Sequence, residues 1–204
     1  MRKVSPGVAR KGWGLVVAAA VVVALLSLAS NVTSVSQLSA EADTLLAVRS
    51  TISKLVNSGA LWAGLPILCG WFVRRPLQAF AAGIAAGLIA LGVHYGVGLL
   101  FGMFDATVWA SNQWWFLLAL VTGGPLGLLG AAARNTGPAG LLARLVAPAG
   151  AVLEPFWLNM FDVPTFLPWP SRVSSVAAGL ILVVAGLVGG AILIRRWHTQ
   201  RSAH

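Results

Sequence analysis

Three side chains that could do chemistry lie within long apolar stretches of this sequence. His94 and Tyr95 are neighbours in the apolar segment 79–104, and Glu154 lies near the end of another, 141–158. Ionisable groups inside a membrane usually face a helix-bundle interior or a wet cavity, although a neutral histidine can also be buried with one N–H bonded to a neighbour. The sequence therefore predicts either structural burial of these groups or one outward-facing cavity lined by His94, Tyr95 and Glu154.

Glu154 begins the connection that leads to Arg172. Because Glu154 precedes Pro155, and the residue before proline avoids helical geometry, we expect the helix to end or bend there. The carboxylate is then either an interfacial acid that reaches water or the partner of His94 or Arg172 at the floor of the cavity. The connection contains four prolines and five Phe or Trp residues. We expect an interfacial lid that either caps a cavity or seals the bundle.

The sequence offers few residues for catalysis. It has five acids and three histidines, of which His198 and His204 lie in the C-terminal tail. It lacks the His-Glu-x-x-His, Gly-x-Ser-x-Gly and nucleotide-binding motifs. The single cysteine, Cys69, cannot form an intrachain disulfide, and its apolar neighbours are typical of an inert packed thiol. We therefore predict no catalytic residue, no metal site and no cofactor.

The composition indicates which solvent surrounds these residues. Hydrophobic residues make up 58% of the chain and charged residues 9%, whereas a soluble domain is about 25% charged. Six apolar segments can be marked, and their length and lack of strict alternation favour helices over barrel strands. The segments are 13–29, 59–73, 79–104, 114–133, 141–158 and 173–194. We predict an all-α, six-span transmembrane helix bundle forming a single membrane domain over residues 1–204.

Two of the six segments leave alternatives open. The segment 59–73 is short and contains Pro66, but apolar residues recur at helical spacing upstream. This favours an outer amphipathic segment over 41–57 that feeds the span, and the alternative is one long bent helix. The first segment is either a retained span or the core of a cleavable secretory signal that ends around 38–40.

The charges predict the orientation of the spans. Of the 14 Lys and Arg residues, all but Arg49, Lys54 and Arg172 fall on the same side when the connections are assigned alternately. The positive-inside rule places that rich side, with both termini, in the cytoplasm. We expect the basic clusters to contact anionic lipid head groups of the cell membrane rather than nucleic acid, because there is no extended basic face.

Glycines predict which helices pack closely. The third segment carries glycines that include three pairs at four-residue spacing, and such residues let helix backbones approach each other in lipid. They are Gly83, Gly87, Gly92, Gly96, Gly98 and Gly102. We therefore expect the third helix to be central in the bundle.

Several short motifs also carry a resemblance. They are Asn57-Ser58-Gly59-Ala60-Leu61-Trp62, Arg74-Arg75-Pro76, His94-Tyr95-Gly96-Val97-Gly98, and Gly124-Pro125-Leu126-Gly127-Leu128-Leu129-Gly130 with Arg134 and Glu154. Over about residues 57–160 the chain resembles an uncharacterised bacterial family of multi-pass membrane proteins of similar length, a domain of unknown function. The resemblance implies a membrane protein and carries no catalytic or binding residue across.

Two classes of function follow from these observations. One is a small permease or the membrane subunit of a transport assembly, whose motor would have to be a separate chain because no nucleotide-binding motif is present. The other is a non-catalytic envelope protein that binds or organises membrane partners. No paired inverted halves are visible, which disfavours transport.

Overall fold

The described part of the chain folds into helices. A computed structural model describes residues 6–32, 43–73 and 75–202, and within these ranges it contains helices and no strand. The helices are α1 (Pro6–Ser30), α2 (Asp43–Val56), α3 (Gly59–Phe72), α4 (Pro76–Leu100), α5 (Ala106–Ser111), α6 (Gln113–Ala132), α7 (Pro138–Trp157) and α8 (Trp169–Ser202). The all-α prediction is confirmed.

Six stretches of the described helices are long and apolar enough to cross a bilayer. They are Lys11–Ser30, Asp43–Phe72, Pro76–Leu100, Gln113–Ala132, Pro138–Trp157 and Trp169–Arg201. Five correspond to single helices, whereas the second joins α2 and α3. The 14 residues of α3 rise only about 21 Å, less than the ~30 Å hydrocarbon core of a bilayer, so α3 needs α2 to reach the length of a span.

The break between α2 and α3 lies where the sequence indicated. Helix α2 ends at Val56, and α3 begins at Gly59 with the Leu61 N–H donating to Ser58 Oγ over 3.2 Å. In α2 the apolar side chains Leu45 and Ile52 are at least half exposed, whereas its polar side chains bond to other helices. An amphipathic helix with its polar face inward is typical of a lipid-facing environment.

The chain divides into two compact units. Unit 1 consists of the described residues within Met1–Leu25 and Trp62–Arg144, and unit 2 of those within Leu26–Leu61 and Leu145–His204. In unit 1 the buried core is built from α1, α3 and α4, with alanines at four-residue spacing along α4 between Ala82 and Ala90. Side chains this small let the helix backbones approach closely.

Glycines bring α4 directly against α6 in unit 1. A Cβ added to Gly83 would overlap the carbonyl oxygen of Gly123, and one added to Gly127 would overlap that of Ala79. Helix α3 contacts α6 in the same way, because a Cβ at Gly70 would meet the Gly127 carbonyl. These contacts are between backbones, so no side-chain movement could relieve the overlap.

The α4 glycines differ in what an added Cβ would contact. A Cβ at Gly87 would lie 2.9 Å from the Ala119 Cβ, but one at Gly92 or Gly96 meets no atom within 4 Å among the described residues. Gly98 faces Phe104, and Gly102, with φ of +66°, lies in the turn after α4. The glycines differ because the glycines of α6 contact only the N-terminal half of α4. Regular spacing along one helix does not indicate how far such a contact extends.

In unit 2, α8 packs against α2. The buried core contains Met160, Ala178 and Leu182, with Leu55 of α2 packed against it. Helix α7 continues through Glu154 and Pro155 and ends at Trp157. It therefore does not end at Glu154, and a bend there stays a prediction. Pro155 is fully buried, and this packing offsets the backbone preference of the residue before proline.

Candidate functional site

His94 and Tyr95 lie in an aromatic cluster within unit 1. His94 is 8% exposed, and its ring centroid lies 5.0 Å from that of Tyr95, 5.4 Å from that of Phe104 and 6.4 Å from that of Trp62. His94 also forms a hydrogen bond with the backbone of Ala24 in α1. A buried histidine with a backbone partner and aromatic neighbours is adequately satisfied without a ligand.

The same cluster joins α4 to the helices that follow it. The Tyr95 ring centroid lies 5.8 Å from that of Trp109 in α5 and 6.0 Å from that of Phe116 in α6. Of the predicted site residues, the structure thus brings His94 and Tyr95 together among aromatic rings. Glu154 belongs to unit 2, and the cavity shared by all three stays a prediction.

Glu154 binds the N-terminus of α3. Its Oε1 accepts a hydrogen bond from Gly59 N and its Oε2 accepts one from Ala60 N, both at 2.7 Å. The first N–H groups of a helix have no partner within the helix and attract negative charge. With Ser58 Oγ bound to Leu61 N, three successive N–H groups of α3 are satisfied. This cap, supplied from a distant part of the chain, explains why α7 carries a carboxylate at this position.

Lys54 is enclosed by serines of α8. Its Nζ donates to Ser174 Oγ and Ser175 Oγ at 2.8 Å and to the Ser171 carbonyl at 3.3 Å. Three acceptors match the three N–H groups of an ammonium. Sequence reasoning missed this site and counted Lys54 only as a charge. The three serines lie at positions i, i+3 and i+4, which share one face of a helix, and this spacing is the signal that could have found the site.

A polar layer also joins the end of α1 to α2. The buried Ser27 hydroxyl donates to Asn57 Oδ1 at 2.5 Å, and Asn57 Nδ2 donates to Ser30 Oγ at 3.3 Å. Arg49 Nη1 donates to the Ser30 carbonyl at 3.0 Å. These bonds pair polar side chains of α2 with the C-terminal end of α1, so they are accounted for by helix packing.

Arg49 Nε is buried with no hydrogen-bond partner among the described residues, and the same holds for Arg172 Nε, in a different environment. Arg172 lines an apolar groove of about 550 Å³. The sequence predicted that Glu154 could be its partner, but the two oxygens of Glu154 bind the N–H groups of α3 instead. A buried donor without a partner costs about 1 to 3 kcal/mol, more when it is charged. Such a group is therefore a candidate for binding a ligand.

The groove follows one face of α8. Its α8 residues recur at spacings of three and one, which places them on a single helical stripe; they are Trp169, Arg172, Val173, Val176, Ala177 and Leu180. Phe161 and Val163 of the preceding connection form the other wall. From Arg172 to Leu180 the stripe rises about 12 Å along the helix axis. The groove thus combines one cation near the start of α8 with an apolar track that continues along the helix.

Trp169 is fixed at the start of this stripe. Its Nε1 donates to Asp43 Oδ2 over 2.9 Å, which joins the beginning of α8 to the beginning of α2. The Asp43 carboxylate is therefore engaged by the indole. The second acid near the groove, Asp162, lies between two wall residues and is exposed, where water and salt screen its charge.

Two arginines of unit 1 cap helix C-termini. Arg134 Nη1 donates to the Trp71 carbonyl at the end of α3 over 2.6 Å, and Arg144 Nε donates to the Ala133 carbonyl at the end of α6 over 2.6 Å. Cations are favoured at helix C-termini. Both residues were assigned to topology from sequence, and their local bonds add a structural role.

Other ligand chemistry finds less support. Within the described ranges, no group of three or more His, Cys, Asp or Glu side chains is placed to hold a metal ion. Comparison of the chain with protein-family models, curated proteins and solved structures finds no match. The argument for function therefore depends on the residues of the site.

Proposed function

We propose that this chain is a non-catalytic, multi-pass protein of the cell membrane that binds a membrane component in the groove of unit 2. The observation that carries the proposal is the Arg172 Nε, which is buried at an apolar groove with no hydrogen-bond partner within residues 6–32, 43–73 and 75–202. The groove volume of about 550 Å³ falls within the range of ~300–1,000 Å³ found for small-molecule sites.

The packing of unit 1 supports binding over transport. A permease needs a path between its helices, whereas α4 and α6 meet backbone to backbone at Gly83 and Gly123. The helix contacts of unit 1 therefore suit a closed scaffold. A small permease is the second candidate, and the observation that favours it is His94, a buried protonatable side chain within the candidate span Pro76–Leu100.

Retention of a bound molecule tests the proposal. We expect the purified wild-type chain to retain a membrane-derived amphiphile, detected by native mass spectrometry. The variant Val176→Trp, which fills the groove, should lose it. Val184→Trp is the matched control, because Val184 lies on the same helix, is 57% exposed and is not among the groove residues. Equal retention by both variants would refute binding in the groove. Solute flux through proteoliposomes that is lost in His94→Phe would favour the permease.

The proposal includes six spans with both termini in the cytoplasm. This orientation rests on the distribution of Lys and Arg and is tested by labelling with a membrane-impermeant thiol reagent in intact cells. In a Cys69→Ala background, cysteines at Ala106 and Thr165 should react and a cysteine at Gln78 should stay protected. The reverse labelling pattern would invert the orientation.

A further inference from the structure

The ligand that best fits the groove combines a negative charge with a hydrocarbon chain. Arg172 presents a half-buried cation whose Nε has no partner among the described residues, and Val173, Val176 and Leu180 present only hydrocarbon. Arg172 as a whole is half-buried, and a cation beside apolar side chains is stabilised when an anion pairs with it. An anionic group that brings its own apolar chain satisfies both parts of the groove at once.

The order of these residues along α8 fixes how such a ligand would lie. Arg172 is in the first turn of the helix, and the apolar track extends about 12 Å further toward its centre. In a membrane helix the first turn lies near the interface and the following turns lie in hydrocarbon. A lipid of the surrounding bilayer is arranged in the same way, because its charged head group lies at the interface and its acyl chain lies in the hydrocarbon.

We propose that the groove binds an anionic phospholipid, with its phosphate on Arg172 and an acyl chain along the Val173–Leu180 face of α8. This inference rests on the proposed function and names its ligand. An arginine is well suited because guanidinium N–H groups form charge-assisted hydrogen bonds with phosphate oxygens. The proposed orientation would put this site on the side away from the basic clusters that the sequence assigns to cytoplasmic head groups. It differs from them in being a groove rather than an exposed charged surface.

The charge of the head group is tested by titrating the full-length protein with defined lipids. Native mass spectrometry would measure binding of phosphatidylglycerol and phosphatidylcholine to the wild type and to Arg172→Gln. Both lipids carry one phosphate, but the choline cation of phosphatidylcholine is repelled by the guanidinium. The wild type should therefore prefer phosphatidylglycerol about tenfold, which corresponds to about 1.4 kcal/mol, and the variant should lose this preference. Arg196→Gln removes an exposed arginine from the same helix and should keep it.

Further variants keep the test decisive if Arg172→Gln fails to fold. Arg172→Lys retains the charge but not the planar guanidinium, so it should keep part of the preference. Val176→Trp should reduce binding of both lipids. If the wild type shows no preference, or Arg172→Gln and Arg172→Lys both keep the full preference, the anionic-lipid inference is overturned. In that case a loss of binding in Val176→Trp would still leave the proposed function standing, whereas unchanged binding in that variant would overturn both.

Discussion

Removing the carboxylate of Glu154 should release the N-terminus of α3. Its two oxygens bind Gly59 N and Ala60 N at 2.7 Å, and hydrogen bonds to charged groups contribute at least about 1.5 kcal/mol each. We take the lower end because Glu154 is only half-buried and water can replace part of each bond. Glu154→Ala should therefore lower the free energy of unfolding by about 3 kcal/mol, and Glu154→Gln, which keeps one acceptor oxygen, by about half of that.

Thermal unfolding in detergent measures this loss. For a chain of this length, 3 kcal/mol corresponds to a decrease in the midpoint temperature of roughly 6 to 12 °C on the scale of soluble domains. Asp162→Asn is the matched control, because it neutralises an exposed acid of the same unit and should change the midpoint by less than about 2 °C. Equal midpoints for Glu154→Ala and Asp162→Asn would refute the capping role.

Hydrogen exchange locates the effect within the chain. In Glu154→Ala the amides of Gly59 and Ala60 lose their acceptors and should exchange faster than in the wild type. The amide of Leu61 keeps its bond to Ser58 Oγ and should change least of the three. A uniform increase across α3 would indicate general destabilisation instead of a lost cap.

Three further perturbations test other parts of the structure. Gly83→Leu should lower the unfolding midpoint far more than Gly92→Leu, because only the first site lies against another backbone; equal midpoints would contradict the α4–α6 contact. His94→Ala, which leaves a cavity among aromatic rings, should cost about 2 to 3 kcal/mol of unfolding free energy, and His94→Phe less than about 1 kcal/mol; equal losses would show that ring packing is not the role of His94. The Thr107 hydroxyl and the Val108 N–H donate to the Asp105 carboxylate at the start of α5, and both hydrogen bonds hold the pKa of Asp105 below its ordinary value. The stability from these bonds is therefore fully present above the pKa of Asp105 in the unfolded chain, and it is lost as the pH falls through the lowered pKa of the folded chain. The Val108 amide, which donates to Asp105, should lose protection from hydrogen exchange in acid, and Asp105→Asn should remove this pH dependence. The same pH dependence of protection in Asp105→Asn and in the wild type would contradict the role of Asp105.

Much of the fold follows from one-dimensional patterns. Apolar segments long enough to cross a bilayer mark five of the six candidate spans directly, and the break at Asn57–Ser58 follows from polar residues between two apolar stretches. Such features depend on local composition. They can be read from the sequence because each span must satisfy its own backbone hydrogen bonds in lipid.

The parts that could not be predicted depend on contacts between distant residues. Regular spacing gave Gly92 and Gly96 the same weight as Gly83, but only the last lies where α6 contacts α4. The sequence indicated that Glu154 was exceptional without revealing that its partners are the backbone N–H groups of Gly59 and Ala60. Every residue except proline has a backbone N–H, so the sequence does not show which of these groups binds a carboxylate. Such a partner is found only in the three-dimensional structure.

The Arg172 site shows the same limit in another form. From sequence, Arg172 was one of the few basic residues on the outer side. The structure adds the buried Nε and the apolar wall formed by Phe161 and Val176. Residue types alone do not indicate that a single atom is buried. They also do not indicate that the connection before α8 contributes a wall to a groove.

Photo-crosslinking from inside the groove tests the central claim most directly. A photoreactive amino acid in place of Val176, irradiated in membranes of known lipid composition, should give adducts with phospholipid that are enriched in anionic species over the bulk bilayer. The same substitution at Val184, an exposed position of α8 outside the groove, should give adducts in the bulk proportion. Bulk proportions at both positions, or no lipid adduct at Val176, would contradict the claim that this groove is a binding site.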